Sequence, residues 1–384
     1  MRADVVVVGA GLAGSAAAWA LARRGRDVVL LDAFEPGHAK GSSHGSARIF
    51  RRAYPDPFYV RLTGLAGERW RQLEDEAGEQ LVRTTGAVDF GPSPLVKRMY
   101  DILRAERVPA ELLTPAQATQ RWPGLNFTDD GRLDPVLFHP EGGVIDPDRA
   151  ITAMQRLAGG RGANIRHNTP VTSIEDHTVC TATATYQANT VIAAAGAWLE
   201  PLVRPLHIPL PRLIVTQVQA FHFATKARER DEQWPTFIRH DDTIVYGLPS
   251  GSDAPGAVKV GVHGQGTVTT ADDRDGIPSK VARERVREFV MNKVPGLEPA
   301  PIGELTCLYT STENEDFIID RRGAFVISST CSGHGAKFAP LTGELLADLA
   351  DGKPAPYPRF TLPELAGTFP AQSASLLAGA LLRP

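Results

Sequence analysis

The chain is poor in cysteine, with three in 384 residues: Cys180, Cys307 and Cys331. So few, so scattered, exclude a disulfide framework and a structural zinc site, and no metal is expected. A basic excess is also missing. With 42% hydrophobic residues, 22% charged residues and a net charge of −3, no field exists to attract phosphate or an anionic bilayer, so neither nucleic acid nor membrane is an expected partner. No apolar run approaches the roughly 18 residues that a bilayer span requires. The segment MRADVVVVGAGLAG has one basic residue and four valines running into glycines, which reads as a strand entering a turn, not a secretion signal. A cytoplasmic protein is the expectation. Repeats and low-complexity tracts are lacking too, and the length exceeds one usual core, so two closely packed domains or one large one are expected.

What is present begins at Asp4. In DVVVVGAGLAGSAAAWALARRGRDVVLLD, consecutive valines suit a strand buried on both faces of a parallel sheet. Gly9, Gly11 and Gly14 form G-x-G-x-x-G and open an Ala-rich helix that ends at Gly25. A second strand, Val28 to Leu31, closes on Asp32, about 18 residues past Gly14. The glycines let backbone approach a pyrophosphate, the helix N terminus favours its charge, and Asp32 can accept hydrogen bonds from a ribose. The motif fits NAD or the adenosine half of FAD and does not choose between them.

The remaining pattern suggests a nucleotide domain in several pieces. Residues 58–78 and 147–158 read as helices, the second begun by Asp146 and Pro147; 164–174 and 190–195 read as apolar strands. Between Leu210 and Val262 the pattern turns to strands and loops, followed by helices over 281–293 and 341–351. The expected fold is α/β: a Rossmann-like dinucleotide-binding domain, discontinuous in sequence (1–85, 145–208 and 322–384), with an inserted mixed β-sheet substrate domain (86–144 and 209–321). The Pro- and Ala-rich tail after Lys353 is expected to wrap the surface. Arg48 and Arg51 are three apart and would share a face if their segment were helical. In AVKVGVH, alternation puts Lys259, Gly261 and His263 on one face of a strand.

These motifs are similar to those of the monomeric sarcosine oxidase and N-methyltryptophan oxidase family of covalent flavoenzymes. The resemblance spans nearly the whole chain. It rests on the fingerprint, on GSSHGSARIFRRAY, YGLPSGSDAPGAVKVGVH, CLYTSTENEDFIID and SGHGAKF, in that order. It implies FAD joined through Cys307 as a thioether on the flavin 8α-methyl, whereas Cys180 and Cys331 remain ordinary small core thiols. It implies that Arg51 and Lys337 clamp a substrate carboxylate, with Arg48 against the reactive edge of the flavin. Tyr246, His263 and Tyr309, and less directly His44, would line the space over the ring. Lys259 would face the opposite side, where oxygen reacts. Cofactor contacts would come from Gly9, Gly11, Gly14, Asp32, Gly41, Ser42, Arg48, Val171, Gly196, Gly333, Gly335 and Lys337.

Two departures stand out. The family often has Asp-Thr where this chain has Ser46-Ala47, and the loop between Tyr246 and Lys259 looks slightly longer than in the sarcosine-specific enzymes. The resulting expectation is a monomeric FAD oxidase that takes a small secondary amine with a carboxylate, such as an N-methyl amino acid, together with O2. It would yield an imine, then formaldehyde and the primary amino acid, with hydrogen peroxide. Rival readings are an oxidase of cyclic imino acids or of secondary metabolism, an NAD-dependent dehydrogenase, and a non-catalytic flavin-binding subunit.

Overall fold

The computed structural model describes residues 1–128, 132, 134–227 and 233–363. The fully buried valines open its first sheet. Strand Arg2–Val8 lies between Thr185–Ala193 and Val28–Leu31, parallel to both, and Asn164–Arg166 continues the parallel array beyond Val28–Leu31. Phe325–Ser329 joins the C-terminal half of Thr185–Ala193 in parallel, while Val171–Glu175 and Thr178–Thr181 form a meander on its N-terminal half. With Ile318–Arg322, this sheet has eight strands among the described residues. Parallel neighbours joined by helices bury both faces, which is why Val6, Val7, Leu30 and Leu31 are inaccessible.

The Ala-rich helix Leu12–Arg23 packs between Ala339–Ala350 and Pro147–Gly160. Small side chains permit that closeness: a Cβ at Gly14 would come within 1.7 Å of the Gly9 carbonyl oxygen. Helix Pro57–Ala77 begins at Asp56, whose carboxylate accepts from the Phe58 amide at 2.9 Å.

The second sheet has nine strands among the described residues. Its backbone is the long antiparallel pair Ile214–Thr225 and Leu297–Ser311, continued on the other side by Ala257–Val262, Val245–Pro249, Thr236–Arg239 and Ala87–Phe90. Phe90, Phe221, Phe223 and Phe237 fill the core between its concave side and the helix Lys280–Lys293 region. A small third sheet, Arg48–Phe50, Gly143–Ile145 and Val82–Thr84, bridges the two.

Several local expectations change. The segment at Arg48 is a strand, not a helix, so Arg48 and Arg51 point to different places. Residues 164–174 form two strands, Asn164–Arg166 and Val171–Glu175, which pair with different partners. Lys337 sits in a 3-10 turn, Gly335–Phe338. Past Lys353, Phe360 is buried and Arg359 pairs with Asp316 and Asp56, so that part of the tail wraps the surface; residues 364–384 lie outside the described residues. Among the described residues, no helix is long and apolar enough to cross a membrane.

Candidate active site

A continuous cavity of about 930 Å³ runs between the two large sheets. Gly9, Gly11, Asp32, Val171 and Gly196 line one end; Cys307, Tyr246, Lys259, His263, Arg51 and Lys337 line the other. At the first end, the helix Leu12–Arg23 starts at Gly11 with no side chain of its own capping it, and Leu12 N donates instead to Ser43 Oγ at 3.1 Å. Its positive N terminus therefore faces the cavity, as a diphosphate requires. Asp32 is held at the end of its strand by the amides of Ala10 (2.6 Å) and Phe34 (2.9 Å), and is 3.6 Å from the His38 ring. Phe34 and Trp198 add an aromatic wall beside Gly41. This end fits the adenosine and diphosphate of a dinucleotide, and the cavity is long enough to carry a second ring system on to Cys307.

Cys307 projects from Leu297–Ser311, buried, with its sulfur 3.4 Å from the Ser42 carbonyl oxygen and 3.6 Å from Arg48 Nη2. Arg48 is itself fixed by three carbonyls, of Ser42 (3.1 Å), His44 (2.7 Å) and Ala47 (3.0 Å). The GSSHGSA loop thus wraps its carbonyls around one guanidinium and aims it at the thiol. Gly41 and Ser42 meet the sulfur through backbone alone. The His44 ring borders the cavity, and burial, then the charge of Arg48, lowers its pKa to about 4. Cys331 accepts from the Thr310 amide at 3.5 Å and burial raises its pKa, but it lines the cavity and, like Cys180, is only half-buried, so neither is the core thiol expected.

Lys259 is 3% exposed on Ala257–Val262, and its ammonium donates to the Ala47 carbonyl. Burial, followed by repulsion from Arg48, lowers its pKa to about 7. Nearby, the two departures in sequence meet: the Ser46 hydroxyl donates to Asp253, which comes from the loop after Tyr246. The Asp253 amide returns a bond to Ser46 Oγ at 3.1 Å. A carboxylate is therefore present at this point after all, delivered from 207 residues away.

The other cations gather at the far wall. Arg51 donates to the Ala53 carbonyl, lies over the Tyr54 ring at 4.8 Å, and has Nη1 3.6 Å from Asp89 Oδ1. Lys337 is buried, bonded to the His334 carbonyl at 2.8 Å, and burial followed by the charge of Arg51 holds its pKa well below the usual lysine value. His263 and Tyr309 pack with ring centroids 5.8 Å apart. Gly333 has φ +70, and a Cβ there would meet Tyr309 at 2.5 Å and His263 at 2.8 Å, so glycine is required for this wall to close. Gly335 is equally confined, against the Thr330 carbonyl. Burial raises Tyr246 to about 12, drives Tyr309 well above its usual value, and lowers His263 to about 4. All three are uncharged at neutral pH.

The structure brings the candidate site residues named from the sequence to this cavity, except Gly14, which packs against Gly9. Sequence reasoning passed over Asp89 and His240, although a charged residue inside the apolar run Ala87–Phe90 is itself a signal. It also passed over Ser43, Trp198 and Asp253, whose roles come from contacts across the chain.

Comparisons with known proteins agree with this geometry. Residues 4–349 match the family described as FAD dependent oxidoreductase. The chain is 33% identical to the peroxisomal sarcosine oxidase of Mus musculus, over 92% of this chain and 93% of that one. It is 31% identical to the N-methyl-L-tryptophan oxidase of Yersinia pestis, over 93% and 97%. Among solved structures, NikD, an unusual amino acid oxidase essential for nikkomycin biosynthesis, superposes with a TM-score of 0.82 at 25% identity, over 94% of this chain and 97% of that one.

Proposed function

The chain belongs to the FAD dependent oxidoreductase family and is a flavin-dependent amine oxidase; from that premise we propose that its substrate is a secondary amine bearing a carboxylate, an N-methyl amino acid such as sarcosine or a bulkier relative. The observation that carries this reading is the pair of cations, Arg51 and Lys337, in the same cavity as Cys307. A guanidinium grips a carboxylate through two parallel hydrogen bonds, and the ammonium of Lys337 completes the clamp. A bound anion would favour the charged form of Lys337, which burial and Arg51 disfavour.

His263, Tyr246 and Tyr309 then surround the amine as neutral groups. A neutral imidazole accepts a hydrogen bond from the amine N–H and has no proton to give it, so the nitrogen lone pair stays available. Cys307 would hold the cofactor through a thioether, with the Arg48 guanidinium 3.6 Å from its sulfur. Bound FAD supplies the two-electron oxidation of the amine to an imine and the transfer of those electrons to O2, giving hydrogen peroxide. Lys259, when protonated, would offer positive charge beside the cofactor where oxygen accepts its first electron and becomes an anion. The imine leaves for hydrolysis.

The test is peroxide release by the purified yellow protein across N-methyl amino acids, cyclic imino acids and methylamines without a carboxylate. Turnover is expected with the carboxylates. Oxidation of the carboxylate-free amines with equal efficiency would overturn the reading. A cyclic imino acid is the second candidate, favoured by the apolar lining of Leu95, Met99, Ile238 and Ile244, which accepts a ring.

A further inference from the structure

Arg51 already has a carboxylate partner before any substrate arrives. Asp89, from Ala87–Phe90, is inaccessible to solvent; its Oδ1 lies 3.6 Å from Arg51 Nη1 and accepts from His240 Nε2 at 2.7 Å. Arg51 and His240 both line the cavity, whereas Asp89 stands behind them. The other ionisable groups facing this cluster are His139, pushed to about 4 by burial, His263, Lys337, Tyr54 and His334, with Glu141 and Arg52 beyond His139 and Glu315 near Tyr54. Asp89 is thus the anion in direct reach of Arg51 on this wall.

We propose that Asp89 is a built-in competitor for the substrate carboxylate: it holds Arg51 in the resting enzyme and gives it up when substrate binds, leaving its own charge with His240. The proposal rests on Arg51 being the carboxylate clamp. A second carboxylate brought to Arg51 makes two anions share one guanidinium. A buried anion left without its cation is strongly disfavoured, so the exchange requires another partner for Asp89. His240 is the group already bonded to it, and its ring N–H remains on the carboxylate as that partner when Arg51 leaves. Burial alone favours the neutral acid; the His240 bond and then the Arg51 charge nevertheless lower the pKa of Asp89 in the resting arrangement. Only enzyme molecules whose Arg51 has left Asp89 bind well, so the competitor weakens apparent affinity by the fraction that is free. Substrates that bring a carboxylate to Arg51 meet this penalty, and neutral ones do not.

The test uses the holoenzyme and two probes followed by flavin absorbance: methoxyacetate, in which an ether oxygen replaces the amine so that no imine can form, and its neutral amide. Asp89→Asn should lower the Kd for methoxyacetate by about tenfold, as expected if roughly one molecule in ten has a free Arg51, and leave the amide unchanged. His240→Gln, which removes the ring Nε2–H that Asp89 accepts from, should raise the Kd for methoxyacetate. A folded Asp89→Asn variant with an unchanged or higher Kd overturns the proposal. If that variant does not fold, an unchanged or lower Kd in His240→Gln overturns it. Arg51→Met separates the two claims: if it leaves methoxyacetate binding intact, the clamp assignment itself fails, whereas weakened binding there without tightening in Asp89→Asn sinks only the competitor.

Discussion

Lys259 and Arg48 donate to the same atom, the carbonyl oxygen of Ala47. One backbone oxygen therefore positions two cations that come from different sheets, and Arg48 makes Lys259 harder to keep charged. Replacing Lys259 by Met should leave the flavin attached and bleached by substrate under nitrogen at a rate within about tenfold of wild type. Reoxidation by air should slow by orders of magnitude, because each 1.4 kcal/mol of lost transition-state stabilisation is about a factor of ten. Stopped-flow spectroscopy of the two half-reactions measures this. Normal reoxidation would remove Lys259 from the oxygen side.

The same lysine makes folding depend on pH. Its pKa falls from 10.5 to about 7 in the folded chain. Between those values the unfolded chain holds a proton that the folded chain has released. Stability therefore rises with pH in that window, and the charging penalty is fully present below about pH 7. Lys259→Met removes the penalty, so its advantage in Tm over wild type should be largest near pH 6 to 7 and shrink toward pH 10. A difference in Tm that is flat with pH would show that Lys259 stays charged.

Attachment through Cys307 predicts that acid-precipitated protein stays yellow, that the denatured band fluoresces, and that the intact mass exceeds the chain by one FAD. Cys307→Ala should bind flavin loosely and lose most activity. Flavin washing out of the wild-type precipitate would refute the thioether.

For the clamp, Arg51→Met should raise KM for carboxylate substrates by an amount worth roughly 2–5 kcal/mol, the usual consequence of removing one partner of a desolvated charged contact. An N-methylamine without a carboxylate should hardly respond. Equal losses for both would make Arg51 a structural residue.

What could be read in the sequence was local. The strand, turn, helix and acid of residues 4–32 are adjacent in the chain, and the backbone physics of that unit needs no partner from elsewhere. The segments around Cys307 and Lys337 carry their signal in unusual side-chain order. The direction of Arg48 against Arg51 was not legible, because two arginines three apart suit a helix as well as a strand; pairing of Arg48–Phe50 with Gly143–Ile145 decides it. Asp89 and His240 are 151 residues apart and become a pair only through the parallel register of Ala87–Phe90 with Thr236–Arg239. The carboxylate missing at Ser46 returns from Asp253 for the same reason. Long-range register is set by whole sheets, and no short window contains it.

The packing of Leu12–Arg23 against Ala339–Ala350 also has a consequence for biosynthesis. The turn at Gly9 to Gly14 is synthesised well before Ala339–Ala350, which makes one wall of its helix. The strand Phe325–Ser329 that extends the same sheet is almost as late. The nucleotide end of the cavity therefore cannot close during synthesis of the first three hundred residues, and cofactor capture is a late event. Nascent chains stalled before Phe325 should hold no flavin, whereas chains released past Phe360 should acquire it.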